Sequence, residues 1–200
     1  MTPKNIVRIS LRILAAFALI AGAYTFIGSS TADEMNKTGM DGGMGKNMDG
    51  LAVATFAGGC FWCTESDFEK VDGVKDAVSG YTGGHTEHPS YAEVSAGNTG
   101  HTEAVQVYYD PEIVTYEQLL DVFWRHINPT DPGGQFVDRG SQYRSEIFYH
   151  NDTQKRLAEA SKANLEKSMV FEKPIVTPVT RLETFYPAEN TTRTTTRKAP

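Results

Sequence analysis

The chain has 200 residues with a net charge of −6 at pH 7, and 40% of its residues are hydrophobic. This length is enough for one domain with a sizeable core but leaves little room for two. The mildly acidic balance, without a basic stripe, argues against a nucleic-acid-binding protein.

The N-terminus has the layout of an export signal. Three basic residues stand within the first twelve positions, an apolar run follows from about residue 13 to residue 27, and small residues close it at Ser30, Thr31 and Ala32. This layout is typical of a secretory signal. The run is short for a transmembrane helix, which needs about 20 apolar residues, but an uncleaved anchor remains the alternative. We therefore predict that residues 1–32 direct the rest of the chain to the periplasm, either free or anchored to the membrane.

Two polar segments flank the predicted domain. Residues 33–50 are rich in Gly, Asn and Met without an apolar period, which predicts a flexible linker. Four of the six methionines lie there, so a soft-ligand copper site and a set of oxidisable side chains are alternatives. The Thr-rich residues 190–200 are predicted to be a disordered tail. The folded domain is therefore expected at residues 51–189.

From residue 51 onward, apolar residues recur at the spacings of strands and helices. In chain order, the pattern predicts a strand at 51–57, a helix at 61–71, strands at 74–81 and 103–110, a helix at 111–127, a strand at 143–150, a helix at 151–169 and an extended segment at 173–187.

Local signals support these assignments. Thr115 and Gln118 have the spacing of a capping box, Asn151 or Asp152 is placed to cap the last long helix, and Pro178 favours a sheet edge or a bulge. The element order predicts an α/β (α+β) fold, a ferredoxin-like split βαβ sandwich with long loops.

Two long loops, beginning near residues 81 and 128, interrupt this order. Loops of that length in a compact domain are usually functional. Both contain side chains suited to acid–base chemistry, namely Tyr81, His85, His88, Tyr91, Glu93, Asp131, Asp138, Arg139 and Tyr143. The five histidines do not have the spacing of a metal-ligand set, so we predict no metal site.

The only two cysteines are Cys60 and Cys63. Cys60 follows two glycines and begins a predicted helix, where free backbone amides and the helix dipole are expected to lower its thiol pKa towards neutrality. Cys63 lies one turn further on, within reach of a disulfide. Two buried structural thiols are one alternative. A structural disulfide is another, although a bridge over so short a loop stabilises little.

A copper-binding module is the alternative from another functional class. Copper-handling domains also place Cys-x-x-Cys between the first strand and first helix of a ferredoxin-like fold, and the Met-rich linker offers further soft ligands. Phe61 and Trp62 between the cysteines argue against it, because they would crowd a metal loop but can line an apolar pocket. A generic thiol–disulfide oxidoreductase is a third possibility.

Several motifs together indicate a family. GGCFWCTES, GYTGGHTEHPSYAEVSAGNTGHTEAVQVYYDP, YEQLLDVFWRHINPT, DRGSQYRSEIFYH and FYPAE resemble peptide methionine sulfoxide reductase, type A, from about residue 52 to residue 189. The resemblance implies a catalytic domain that reduces the S epimer of methionine sulfoxide, free or in proteins, and so repairs oxidised proteins. It also implies no bound cofactor and an external reductant, thioredoxin or a thioredoxin-like donor.

The resemblance also assigns roles to residues. Cys60 would attack the sulfoxide sulfur and become a sulfenic acid. The carboxyl of Glu93 would act on the sulfoxide oxygen with the hydroxyls of Tyr81 and Tyr143, because charge builds on that oxygen. Asp138 would be an acidic helper acting through water.

The remaining roles concern the motif around the thiol. Phe61 and Trp62 would form an apolar cage for the S-methyl group of the substrate. Many relatives have Gly at the position of Cys63 and resolve with distal cysteines, which this chain lacks, so Cys63 is expected to resolve the sulfenic acid, with an external thiol as the alternative. Many also continue FYPAE into a Tyr-His-Gln stretch absent here, which predicts a more open site. We expect a monomer that contacts the membrane only if residues 1–32 stay attached.

Overall fold

The computed structural model describes residues 50–189 of the chain. The predicted signal or anchor at residues 1–32, the predicted tail at 190–200 and all of the predicted linker except Gly50 lie outside the described residues. Among residues 50–189, no helix combines the length and the apolar character needed to cross a membrane.

Strands and helices alternate along the described part of the chain. They are β1 (Ala52–Gly58), α1 (Phe61–Glu69), β2 (Val74–Thr82), α2 (Tyr91–Ser95), β3 (Thr102–Tyr109), α3 (Tyr116–His126), β4 (Gly134–Gln135), β5 (Asp138–Arg139), a 3-10 turn (Ser141–Tyr143), β6 (Ser145–Tyr149), α4 (Asp152–Lys167), β7 (Val179–Arg181) and β8 (Phe185–Pro187).

Six of these strands form one sheet in the order β7-β6-β1-β3-β2-β8. The four central strands are mutually antiparallel. Because α1 joins two strands that flank β3, and α3 joins two strands that flank β1, each connection crosses over one strand, as in split βαβ units. β7 pairs parallel with β6 and β8 antiparallel with β2, at the two edges. The prediction of a mixed α/β fold is confirmed.

The core lies between this sheet and the helices. Phe56 of β1 is fully buried and stacks on Phe68 of α1 at 5.0 Å and on Phe123 of α3 at 5.2 Å between ring centroids. Burying one such side chain stabilises the fold by roughly 1.5–3 kcal/mol. This packing fixes α1, and so the first turn of α1, against the end of β1.

The predicted helix caps are confirmed. The Thr115 side chain accepts from the Gln118 amide, and the Gln118 side chain accepts from the Thr115 amide, which completes the capping box of α3. Of the two candidates for α4, Asn151 is the cap, and its side chain accepts from the amide of Gln154 at 3.0 Å. Pro178 lies next to the edge strand β7, as predicted.

Candidate active site

The turn between β1 and α1 requires glycine. Gly59 has φ +93°, a conformation that side chains with a Cβ rarely adopt, and a Cβ there would lie 2.6 Å from the Cβ of Gln135. The turn places Cys60 at the start of α1, where its carbonyl accepts from the amides of Cys63 and Thr64 at 3.1 and 3.2 Å. The Cys60 thiol therefore lies at the end of the helix that bears free amides.

The prediction of a thiol pKa near neutrality is wrong. Burial raises the pKa of the Cys60 thiol from 9.0 to about 11, and the charges of Cys63 and Glu103 add to the rise. Hydrogen bonds from the amides of Cys63 and Trp62 lower it, but burial outweighs them. The Cys60 thiol is therefore neutral at pH 7.

The carboxyl group beside this thiol belongs to Glu103 in β3. Its side chain is only 2% exposed, and its Oε2 accepts from the amide of Phe61 at 2.9 Å. Burial raises the pKa of Glu103 to about 7, against the lowering effect of the Phe61 amide and with a further rise from Asp138. At neutral pH the group is therefore close to half protonated and able to give or take a proton.

The structure places Glu93, the residue predicted as the acid, in a different role. Its Oε2 accepts from the Ser90 amide at 2.8 Å and from the Ser90 hydroxyl at 2.7 Å, completing the capping box of α2. These bonds lower the pKa of the Glu93 carboxyl, which is exposed to solvent. It therefore caps a helix as a carboxylate, whereas the charge felt by the Cys60 thiol is that of Glu103.

Tyr81 is fully buried behind Phe61, with ring centroids 5.9 Å apart. Its hydroxyl donates to Oε2 of Glu189 at 3.0 Å, and Oε1 of the same carboxylate accepts from the amide of Tyr91 at 2.9 Å. Tyr81 therefore supports the first residue of α2.

Tyr91 is a site residue to which the sequence motifs assigned no role. Its ring stacks on Trp62 at 6.3 Å and on Phe61 at 6.2 Å. Phe61 is 1% exposed and Trp62 is 41% exposed. The accessible apolar surface beside the thiol is thus made by Trp62 and Tyr91, with Phe61 packed beneath them.

Tyr143 joins the same cluster. Burial raises the pKa of its hydroxyl to about 12, helped by the charges of Glu103, Tyr91, Asp138 and Cys60. The hydroxyl therefore stays protonated and serves as a hydrogen-bond donor at all moderate pH values. Of the predicted residues, the structure brings Cys60, Tyr143 and Asp138 together, and it adds Glu103.

The signal for Glu103 was present in the sequence. It is an acidic residue at the start of the strand EAVQVYYD, whose other inward positions are apolar, and such a position buries a carboxyl group. Glu93 had an equally readable signal, because Ser90 three residues before it has the spacing of a capping box.

The two cysteines are unbonded, Cys60 partly buried and Cys63 exposed. Both line a cavity of about 70 Å³ between α1, α3 and the β4–β5 hairpin. Within residues 50–189, no group of three or more His, Cys, Asp or Glu side chains is placed to hold a metal ion. The linker methionines of the copper alternative lie outside the described residues, so nothing in the described part supports it.

A family model described as peptide methionine sulfoxide reductase matches residues 52–200. The peptide methionine sulfoxide reductase MsrA of Bacillus velezensis is 58% identical over 137 residues, covering 68% of this chain and 77% of that protein. MsrA of Listeria monocytogenes is 57% identical over 141 residues, covering 70% and 80%.

Solved structures agree with these relatives. Reduced Mxr1 from Saccharomyces cerevisiae has a TM-score of 0.67 at 32% identity, covering 71% of this chain and 82% of that chain. Methionine sulfoxide reductase A of Corynebacterium diphtheriae has a TM-score of 0.64 at 30% identity, covering 72% and 73%. With the dithiol at the start of α1 and a buried carboxyl group beside it, the chain belongs to the peptide methionine sulfoxide reductase family.

Proposed function

We propose that this protein reduces methionine sulfoxide, free or in proteins, to methionine at the expense of thiols, and that it acts on the S epimer. The observation that carries the proposal is the pairing of a nucleophile with an acid. The Cys60 thiol at the start of α1 lies in the field of the buried Glu103, which retains a proton up to about neutral pH.

The substrate would bind with its methyl group on the aromatic surface of Trp62 and Tyr91, where sulfur–aromatic contacts are favourable. Its oxygen would accept hydrogen bonds from Tyr143 and from the protonated Glu103, whose hydroxyls are the donors grouped around Cys60. Such donors stabilise the charge that builds on oxygen during attack. Asp138 would act on this step through Glu103, because its negative charge raises the pKa of Glu103.

Attack by Cys60 would then transfer the oxygen. The Cys60 thiolate, whose proton has gone to solvent, bonds to the sulfoxide sulfur as Glu103 protonates the oxygen, and the Glu103 carboxylate then takes up a proton from solvent. Once the oxygen moves to Cys60, methionine leaves and a sulfenic acid remains on the enzyme. In this assignment Glu103 takes the acid role that the sequence motifs had suggested for Glu93.

Cys63 would resolve this intermediate. It lies in the same first turn of α1, at the i+3 position, a spacing that fits the Cα separation of a disulfide. Its thiolate would attack the sulfenic sulfur, forming a Cys60–Cys63 disulfide and expelling hydroxide, which takes up a proton and leaves as water. A dithiol protein would then reduce the disulfide. A thioredoxin-like donor is supported by yeast Mxr1, a relative that has been solved in complex with Trx2.

The test is turnover of a peptide that carries both epimers of methionine sulfoxide, with dithiothreitol as reductant. We expect half of the sulfoxide to be consumed, the remainder to be the R epimer, and Cys60→Ser to be inactive. Cys63→Ser is the matched control, because it should still release one methionine per enzyme in a single turnover. Consumption of both epimers, or turnover by Cys60→Ser, would overturn the proposal.

We further propose that the enzyme works outside the cytoplasm, on the basis of the signal-like residues 1–32, and that it is a monomer. Expression in a Gram-negative host followed by fractionation should place it in the periplasmic or membrane fraction. N-terminal sequencing then separates cleavage near Ala32 from a retained anchor, and size-exclusion chromatography measures its mass. Cytoplasmic recovery of the intact chain would contradict the proposal.

A further inference from the structure

Two exposed apolar side chains form the tip of the β4–β5 hairpin. Gly134 pairs with Arg139 and Gln135 with Asp138, so Phe136 and Val137 are its two-residue turn. Their side chains are 69% and 88% exposed. Phe136 also has φ +51°, a left-handed conformation that is unfavourable for a bulky residue and that a tight hairpin normally gives to Asn or Gly.

The fold gains little from this choice of residues. Phe136 carries backbone strain yet leaves most of its ring in solvent, so burial does not compensate the strain. Strained residues that persist without a packing benefit are commonly retained for function. A function of the hairpin tip would therefore depend on the chemistry beside it.

Polar contacts hold the hairpin in place. Arg139 forms a two-pronged ion pair with Asp131, with N–O distances of 2.7 and 3.0 Å. The buried Gln135 side chain accepts from the amide of Asn128 at 2.7 Å and donates to its carbonyl at 3.1 Å. These contacts fix the base of the hairpin. A partner that binds the tip therefore does not lose affinity by ordering a flexible loop.

The hairpin tip stands beside the dithiol. Phe136 lines the same cavity as Cys60 and Cys63, and Cys63 is the more exposed of the two cysteines. A small thiol needs only to reach a sulfur atom. A protein donor must bring its own sulfur atom to Cys63, so part of its surface has to contact the rim of this cavity. That rim includes Phe136.

We propose that Phe136 and Val137 are a docking contact for the dithiol protein that reduces the enzyme, a proposal that rests on the proposed function. A thiolate of the donor attacks Sγ of Cys63 in the Cys60–Cys63 disulfide, and Cys60 leaves as a thiolate that takes up a proton. The second donor thiolate then attacks the mixed disulfide, Cys63 leaves as a thiolate, and the donor departs as a disulfide with two electrons transferred.

The expected contact is small. Redox encounters between proteins bury little surface, so one aromatic side chain at the centre can dominate recognition. The double variant Phe136→Gly/Val137→Asn removes both apolar groups and places glycine at the turn position that has a positive φ. The fold is therefore expected to survive it, and thermal melting checks this.

The test measures turnover of the methionine sulfoxide peptide with two reductants, dithiothreitol alone and thioredoxin regenerated by its reductase and NADPH. We expect the double variant to show a KM for thioredoxin raised about tenfold. Its turnover with dithiothreitol and its KM for the peptide should match the wild type. Val170→Ser is the control, because Val170 is apolar and 72% exposed but does not line the cavity.

Three outcomes would overturn the docking proposal. They are an unchanged KM for thioredoxin, an equal loss of turnover with both reductants, and a raised KM for the sulfoxide peptide, which would make the tip a substrate contact. Failure of the wild type to reduce the peptide with dithiothreitol would instead contradict the proposed function.

Discussion

Glu103 is a carboxyl group kept where its negative charge is poorly solvated. It accepts one hydrogen bond from the Phe61 amide, but burial dominates and Asp138 adds a like charge, so its pKa rises to about 7. A carboxyl group poised near neutral pH is matched to proton transfer at that pH. Proton transfer therefore gives a reason for an acidic residue among the core-facing positions of β3.

The first prediction separates the two glutamates. Glu103→Gln keeps the size and an acceptor for Phe61 but cannot transfer a proton, so methionine release in a single turnover should slow about 10²–10⁴-fold. Glu93→Gln should leave that rate within about threefold, because Glu93 is engaged with Ser90. Rapid-quench measurement of methionine release tests this prediction. If Glu93→Gln is slower than Glu103→Gln, the acid is Glu93, as the sequence motifs suggested.

The second prediction concerns pH. Attack needs a deprotonated thiol, whose pKa is about 11, and a protonated acid, whose pKa is about 7. Below about pH 7 the acid is protonated and kcat/KM should rise about tenfold per pH unit as thiolate forms; between about 7 and 11 the two titrations cancel and give a plateau.

The Glu103→Gln variant provides the control for this profile. This variant has no carboxyl group that loses its proton near pH 7. Its rate should therefore keep rising with pH across the range in which the wild-type rate is constant. Single-turnover rates at low substrate concentration avoid the titration of the reductant. A wild-type profile that rises without a plateau would exclude Glu103 as the acid.

At the scale of elements, the last strand helps to hold the site. β8 pairs with β2 at Gly80, Tyr81 and Thr82, and a Cβ on Gly80 would lie 2.4 Å from the carbonyl of Tyr186, so this pairing needs glycine. Just beyond β8, Glu189 joins the Tyr81 hydroxyl to the Tyr91 amide. The segment just after β8 therefore ties β2 to α2 and orients Tyr91 against Trp62.

The third prediction tests this tie. Glu189→Ala removes both acceptors, so α2 should loosen and the KM for the sulfoxide peptide should rise about tenfold, the result of losing roughly 1.4 kcal/mol of positioning. Tyr81→Phe removes one of the two bonds and should give a smaller rise. Steady-state kinetics with dithiothreitol measures both, and an equal KM in wild type and Glu189→Ala would show that α2 is held by other contacts.

Elements with strong local signals were predicted correctly. α3 and α4 begin directly after their caps, Thr115 and Asn151, because each cap is formed within four residues of sequence. The β4–β5 hairpin and the pairing of β8 were not predicted. Each hairpin strand has two residues, too short for a period, and the partner of β8 lies about a hundred residues earlier in the chain. Local periodicity contains no information on such pairings.

At the scale of the whole molecule, the sheet order assembles the site. The site residues come from the start of α1, from α2, from β3 and from the turn before β6. Because β1 lies between β3 and β6 in the sheet, the ends of these segments meet around the Cys60 thiol. The motifs pointed to Cys60 and Tyr143, which the structure brings together, but they favoured Glu93 over Glu103, the carboxyl group whose charge reaches the Cys60 thiol.

The last prediction links activity to stability. The folded pKa of Glu103 is about 7 against 4.5 for the unfolded carboxyl, so the folded state binds the proton more tightly. The stability from this proton is fully present below about pH 4.5 and is lost as pH rises through 7. At pH 8 the ionised, 2%-exposed side chain lowers the free energy of unfolding by about 3 kcal/mol.

Glu103→Gln removes this ionisation, so the variant should be about 3 kcal/mol more stable than wild type at pH 8 and nearly equal to it at pH 4. Urea unfolding of the reduced proteins at both pH values provides the measurement. Glu93→Gln is the control of opposite sign, because the lowered pKa of Glu93 marks a carboxylate that stabilises the fold above its unfolded pKa. A Glu103→Gln variant less stable than wild type at pH 8 would mean that the Phe61 amide needs a full negative charge, and that Glu103 is held for structure rather than for proton transfer.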